Sequence, residues 1–385
     1  MRSVELFAGC GGLALGVARA GFAHDVVVEY DNDSVTTLEE NKRRKVAHVR
    51  DWTIEHWDAR DLDYGELSSA DLLSGGPPCQ PFSIGGKHLG PRDERNMWPE
   101  AVRALREIKP KAFIFENVRG IFRPDFERYL HYITLQLTYP SMRPRADETW
   151  KQHLSRLHAY AEGRRGEYRV VAQAINAADY GAPQKRHRAI FIGVMSSFGD
   201  GWDFPAPTHS QEALAWVKHV NGAYWKRHDA RRVAAPASPS EALALRRVID
   251  EGKKPRLLPW VTVRDAIGDL PAPTRREDID GHWQHPGARA YPNHTGSCYD
   301  EPAKALKAGD HGVPGGENML TNRAGGVRYF TVREMARLQG FPDNFHIHGS
   351  WKAATRQLGN AVPTMVGEHM AKSVLSILRG ATISR

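Results

Sequence analysis

The sequence predicts an α/β fold in which a mainly parallel sheet is covered by helices on both faces and joined to a smaller, irregular domain. Three observations carry this. Short, continuously apolar, β-branched runs alternate with helical stretches through the first 195 residues, the pattern of strands buried on both faces. The strands run into "FAGCGG", "GGPPCQ" and "ENV", and ligands of such sheets bind beyond the strands' carboxyl ends. From about residue 196 the alternation stops, and Pro, His, Arg and Trp crowd segments such as "FPAPTHS" and "RRVAAPASPS".

In order, "SVELFAG" reads as a strand and "LALGVARA" as its helix; "DVVVEYD" precedes "SVTTLEENKRR", and "ADLLSGG" precedes "MWPEAVRALREI". "AFIFENV", "YRVVAQAINA" and "RAIFIGVM" supply further strands. Residues 136 to 167 interrupt the rhythm with a mixed-charge stretch that reads as an inserted loop with one helix. The last segment, "QLGNAVPTMVGEHMAKSVLSIL", reads as a turn and then an amphipathic helix, with Pro363 acceptable in its first turn. The expected domains are therefore 1–195, 196–330 and a closing segment, 331–385, that returns to the first.

The 385 residues carry a formal charge of +8, with 41% hydrophobic and 25% charged residues, enough length for one large and one small domain. A sequence pI near 9.3 predicts a positive field that attracts polyanions. Residues 225 to 256 concentrate it, with nine Lys or Arg against four Asp or Glu. No apolar run approaches the roughly 18 to 20 residues that span a bilayer, and "MRSVELFAGC" lacks the pattern of a signal peptide. A soluble, cytoplasmic protein is expected. The three cysteines, Cys10, Cys79 and Cys298, show no Cys-x-x-Cys spacing, which argues against a disulfide framework or zinc ribbon. "HIH" at 346 to 348 has no Cys or carboxylate at ligand spacing, so no metal is expected.

"ELFAGCGGLALG" sets Gly9, Gly11 and Gly12 between a strand and a helix, where missing side chains let backbone N–H groups approach a ligand. With Ala14 it nearly satisfies the dinucleotide fingerprint, and Glu29 lies 20 residues after Gly9, placed to accept ribose hydroxyls. These positions imply an adenosine-containing cofactor, with Tyr30 available to its adenine face.

In "GGPPCQPFSIGGK" two prolines stiffen the approach to Cys79, and Gly85, Gly86 and Gly90 leave the next stretch free to move. That is a mount for a nucleophile more than a site for a filler cysteine. Glu116 ends the apolar "FIFENV", where an unpaired carboxylate is costly, so it is protonated, paired or catalytic. "PQKRHR" carries Arg186 and Arg188 into the strand "AIFIGV", an odd place for two guanidiniums unless anions or polar ligand edges await them.

Together, "ELFAGCGG", "GGPPCQPFS", "ENV", "QKRHR", "TVREMARLQGFPD" and "RQLGNAVP" resemble, in order, the cytosine-5 DNA methyltransferases of bacterial restriction-modification systems. The resemblance implies a Rossmann-like, S-adenosyl-L-methionine-dependent methyltransferase fold and a target-recognition domain between the fourth and fifth motifs. It implies that Cys79 attacks C6 of a cytosine flipped out of duplex DNA, that Glu116 contacts N3 and the amino group, and that Arg188, with Arg186 secondary, fixes the O2 side. It assigns Phe7, Ala8, Gly9, Gly11 and Gly12 to the cofactor loop, Glu29 to the ribose and Tyr30 to the adenine. Of Asp51, Asp58 and Asp61, Asp58 in "DARDLDY" best matches the acid that meets the adenine amino group. Trp98 in the lid and Asn360 and Ala361 in "LGNAV" complete that pocket. DNA contacts are expected from Gln80, Ser83, Lys87 and Arg95 after the cysteine and from Arg231 and Arg232 in the basic region. A cognate restriction endonuclease would share the site without touching the enzyme. The rival readings are a tRNA cytosine-5 methyltransferase and a catalytically inactive DNA-binding regulator.

Overall fold

The computed structural model describes residues 1–67, 70–78, 96–198, 201–233, 235–273, 279–290, 295–309, 318–321 and 326–380. They divide into two compact units: Met1–Ile175, His187–Pro205 and the chain from Gly367 in one, Asn176–Arg186 and Ala206–Val366 in the other.

The first unit is built on a seven-stranded sheet. Its strands are β1 (Arg2–Leu6), β2 (Ala23–Glu29), β3 (Ile54–His56), β4 (Leu72–Gly75), β5 (Ala112–Val118), β6 (Tyr168–Asn176) and, beyond the two-residue β7 (Gln184–Lys185), β8 (His187–Met195). The order is β3-β2-β1-β4-β5-β8-β6. β1 to β5 run parallel, and β8 lies antiparallel to β5. Between them come α1 (Gly12–Ala20), α2 (Asn32–Arg43), α3 (Trp98–Ile108), α4 (Glu127–Thr138) and α5 (Trp150–Ala161).

β5 is buried at every position but its last, because a central strand with both faces covered has no solvent side to alternate with. Phe113 and Phe115 are fully buried, and each such side chain contributes about 1.5–3 kcal/mol by leaving water. Gly193 on β8 makes room for them, since a Cβ there would come 2.1 Å from the Phe113 ring. β1 has β2 on one side and β4 on the other. The connections therefore diverge at its carboxyl end, where such sheets open a crevice.

The insertion belongs to this unit. Its helix α5 starts from a Thr149–Gln152 capping box, which satisfies two otherwise orphaned N–H groups, and it buries Leu154 and Leu157 in the same core as Phe113 and Phe115.

The second unit contains α6 (Gln211–Ala215), α7 (Ala223–Arg227), α8 (Pro239–Glu251), α9 (Val263–Ile267), α10 (Val332–Leu338) and α11 (Trp351–Asn360), with α12 (Thr364–Leu378) leading out of it. Its strands are two or three residues long, in keeping with the lost periodicity of its sequence. Leu214, Tyr224, Trp225 and Trp260 pack with Ala178. Lys218 is buried against Glu241 and donates to the Asp300 carbonyl at 2.9 Å.

These boundaries differ from the expected 195 and 330. The chain enters the second unit first at Asn176–Arg186, and residues 331–366 stay there; the return comes at Gly367. Hydrogen bonds between distant motifs explain this. Gln184 donates to the Leu338 carbonyl at 2.9 Å and to Gln339 Oε1 at 3.0 Å, and Lys185 pairs in register with Lys304. Among the described residues no helix is long and apolar enough to cross a membrane.

Candidate active site

The loop after β1 is held open by backbone geometry. Phe7 adopts φ 55° and Gly9 φ 55°, a left-handed conformation that costs a non-glycine residue energy and concentrates at functional sites. Gly11 has φ 88°, a left-handed conformation that favours glycine, and a Cβ there would lie 2.8 Å from the Leu38 side chain. Ala8 N–H donates to the Val28 carbonyl at 3.1 Å, and Gly11 N–H to the Ala8 carbonyl at 2.9 Å. Gly12 then begins α1.

Glu29, at the end of β2, binds this loop. Its carboxylate accepts the Gly9 N–H at 2.6 Å, the Tyr30 N–H at 2.9 Å and the Asp31 N–H at 2.8 Å. Burial raises its pKa, and these three donors oppose the rise. A carboxylate offers about four lone-pair sites, which leaves capacity for one further donor. The Tyr30 side chain is 69% exposed. Asp58 caps the turn after β3, accepting from Arg60 N at 3.0 Å. Its hydrogen bond to the Arg60 side chain holds its pKa below the usual carboxylate range.

β4 ends in Gly75, where a Cβ would stand 2.4 Å from the Leu6 carbonyl oxygen; only glycine lets the two strand ends approach. A Cβ on Gly76 would meet Glu116 Oε2 at 3.5 Å and the Phe7 carbonyl at 4.0 Å. The glycine loop, the approach to Cys79 and the carboxylate of β5 thus converge. Asn117 Nδ2 donates to the Pro77 carbonyl at 3.1 Å, anchoring that approach. Glu116 is buried and pairs with Arg188 Nε at 2.6 Å. The antiparallel register sets Arg188 opposite Val118, so its side chain reaches back to the acid two residues away. A buried acid matched to a guanidinium can hold a polar ring edge without leaving either charge stranded.

A model of the family described as C-5 cytosine-specific DNA methylase matches residues 1–139 and 142–376. The chain belongs to this family. The enzyme is 30% identical to Type II methyltransferase M.NgoMIV of Neisseria gonorrhoeae over 98% of each chain. It is 29% identical to Type II methyltransferase M.Eco47II of Escherichia coli over 97% of this chain and 79% of that one. In fold it is similar to the DNMT2 of Spodoptera frugiperda, with TM-score 0.56, 15% identity and coverage of 98% and 99% of the two chains.

The other residues expected in the site of this methyltransferase lie in varied surroundings. Cys79, Gln80, Ser83, Lys87 and Arg95 lie outside the described residues. Cys10 is fully buried and its thiol is pushed up to about 12 by burial, so it is inert. Trp98 is not in a lid: it opens α3, with Pro99 in the first turn, and packs edge-on against Phe191 and Phe115 at 4.9 and 6.1 Å. Its indole N–H nonetheless has no partner among the described residues.

Arg186 departs furthest from its expected place beside the base. The strand breaks at this residue, and its fully buried guanidinium donates to the carbonyls of Leu306 at 2.8 Å and Gly359 at 2.6 Å. Asn360 ends α11 exposed, and Ala361 follows it, buried, as the cap. Arg231 and Arg232 are both exposed, but Arg232 donates to the His219 carbonyl of its own unit. Sequence reasoning assigns no role to Asn117, Gln184 or Gln339. The only signal for them is their presence inside the quoted motifs.

Proposed function

We propose that the methyltransferase moves a methyl group from S-adenosyl-L-methionine to C5 of a cytosine flipped out of a specific duplex DNA site, through a covalent bond between Cys79 and C6. The reading rests chiefly on the Glu116–Arg188 pair beside Gly76, three residues before Cys79. A cytosine inside the stack presents neither C5 nor C6 to a nucleophile, so the base leaves the helix first.

Cys79 adds as a thiolate to C6, while Glu116 holds N3 and the amino group and Arg188 keeps the carboxylate in place. The electrons displaced from the C5–C6 bond make C5 nucleophilic toward the methyl carbon; forming the C5–methyl bond breaks the methyl–sulfur bond, whose electron pair stays on the departing sulfur as a neutral thioether. Loss of the C5 proton restores the double bond and expels the thiolate. S-adenosyl-L-methionine, when bound, supplies the electrophilic methyl group. The residues present suit it: nothing lies within 4 Å of a Cβ built on Gly9, so a ligand has room against that backbone, and Glu29 retains acceptor capacity for a ribose hydroxyl. Tyr30 then meets the adenine face and Asp58 its amino group.

The names of the related Type II methyltransferases favour a DNA-modifying enzyme of a restriction-modification system over a tRNA methyltransferase or an inactive regulator. Its site of action is then bacterial DNA in the cytoplasm, and a cognate endonuclease would share the recognition site without direct contact. With labelled S-adenosyl-L-methionine and duplex DNA, Cys79→Ser should reduce methyl transfer to background while both ligands still bind. Near-normal turnover would contradict the assignment.

A further inference from the structure

The proposed chemistry does not use the insertion at 136–167, yet its helix carries one of two imidazoles that meet across α4 and α5. His158 of α5 meets His131 of α4 with their Nε2 atoms 3.2 Å apart, and both side chains are exposed. We propose that this pair is a binding site for a divalent transition metal of the zinc, nickel or copper type, which staples the inserted helix to α4.

The spacing supports a chelate. Metal–nitrogen bonds of about 2.0–2.1 Å place two ligating nitrogens about 2.9 Å apart at a right angle and about 3.4 Å apart at the tetrahedral angle, so the observed separation falls within the bite of one ion. The ring centroids are 4.8 Å apart with planes inclined by 36°, which makes the rings converge at their Nε2 atoms instead of lying end to end. Packing fixes the bite in advance: Tyr132 of α4 contacts Trp150 of α5 at 5.7 Å between rings and hydrogen-bonds His153 Nδ1 at 2.9 Å. His153 is occupied on its other nitrogen by the Met142 carbonyl at 3.0 Å and takes no part.

Without metal, one Nε2–H donates to the other Nε2. Binding requires that proton to move to Nδ1 of the same ring through solvent, after which both Nε2 lone pairs face the ion with no net change in charge. Among the described residues no third His, Cys, Asp or Glu donor joins the pair, so water fills the other positions. Two imidazoles favour zinc, copper and nickel over magnesium or calcium.

The test is calorimetric titration of the metal-free full chain with zinc chloride, alongside His131→Ala and His158→Ala. Each variant should bind one zinc fewer than the wild type, or bind that ion at least about tenfold more weakly. Zinc should raise the melting temperature of the wild type by more than that of either variant, and magnesium should not. Circular dichroism of the metal-free variants checks that the helices remain, and His158→Gln replaces any variant that loses them. Equal stoichiometry, affinity and zinc-dependent melting shift in all the proteins would overturn the proposal.

Discussion

Arg186 and Arg188 stand two residues apart in one motif, yet they belong to different units. Arg186 is sealed from solvent and donates to two main-chain carbonyls, dipoles that neither titrate nor exchange. Arg188 meets the carboxylate of Glu116 at the carboxyl edge of the sheet. A buried cation satisfied by fixed carbonyls is a strut, whereas one matched to an acid beside an open glycine loop is equipped for chemistry. Substitutions at the two positions should therefore fail in different assays.

The greatest loss is expected at the sheet edge. Arg188→Ala should lower kcat by about 10²–10⁴-fold, the range for losing support of an acid–base group, with little change in melting temperature, and Arg188→Lys should recover part of it by restoring the charge. Steady-state methylation assays and thermal melts on the same preparations check this. If Arg188→Ala melts early but turns over normally once folded, the two arginines are alike and the distinction between them fails.

Arg186→Ala should do the reverse, destabilising the fold by about 3–5 kcal/mol through two lost charge-assisted hydrogen bonds, while the folded fraction keeps a kcat near that of the wild type. Lysine should not rescue it, because one ammonium cannot reproduce the planar fork. Urea unfolding monitored beside activity separates these outcomes.

Glu5 extends the contrast to the acid side. It is fully buried on β1, accepts from the Ser74 hydroxyl and pairs with no cation among the described residues, so burial pushes its pKa up to about 8. Its folded pKa therefore lies above its unfolded one. The stability it contributes is complete below the ordinary carboxylate range, declines as pH rises and is lost on passing about 8. The slope is at most about 1.4 kcal/mol per pH unit. Glu5→Gln should flatten it, so unfolding free energies measured from pH 5 to 9 should run parallel only if Glu5 is not the titrating group.

On the second unit's surface the same contrast recurs with smaller effects. Arg231→Ala should reduce the log–log salt dependence of DNA binding by about 0.9, the value for one phosphate contact, on target and non-target duplexes alike. Arg232→Ala should leave that slope unchanged and cost about 0.5–1.5 kcal/mol of stability, the worth of a hydrogen bond such as the one to His219. Binding isotherms across salt concentrations distinguish the two.

The sheet is legible in the sequence because buried parallel strands leave continuous apolar runs, and "AFIFENV" in β5 is the plainest of them. The glycine loop and Glu29 are legible too, since φ > 0 and close strand packing permit few residue types at Gly9, Gly11 and Gly75. The division between Arg186 and Arg188 is not. Period-two alternation sets residues i and i+2 on one face, so both read as entering a single strand; the break at Arg186 is made by contacts to Leu306 and Gly359, more than a hundred residues away. Trp98 misleads for a related reason: the glycines at 85, 86 and 90 lead the sequence to be read as a lid that reaches Trp98, while Pro99 has already begun a helix that turns the indole into the core.

The covalent step itself is open to a direct test, using duplex DNA with 5-fluorocytosine at the methylated position and S-adenosyl-L-methionine present. Fluorine cannot leave C5 as a proton does, so the reaction should stop with Cys79 bound to C6. A protein–DNA adduct that survives denaturation and maps by peptide mass to Cys79 is the predicted result. An enzyme preparation that methylates ordinary cytosine but forms no such adduct would contradict the covalent mechanism.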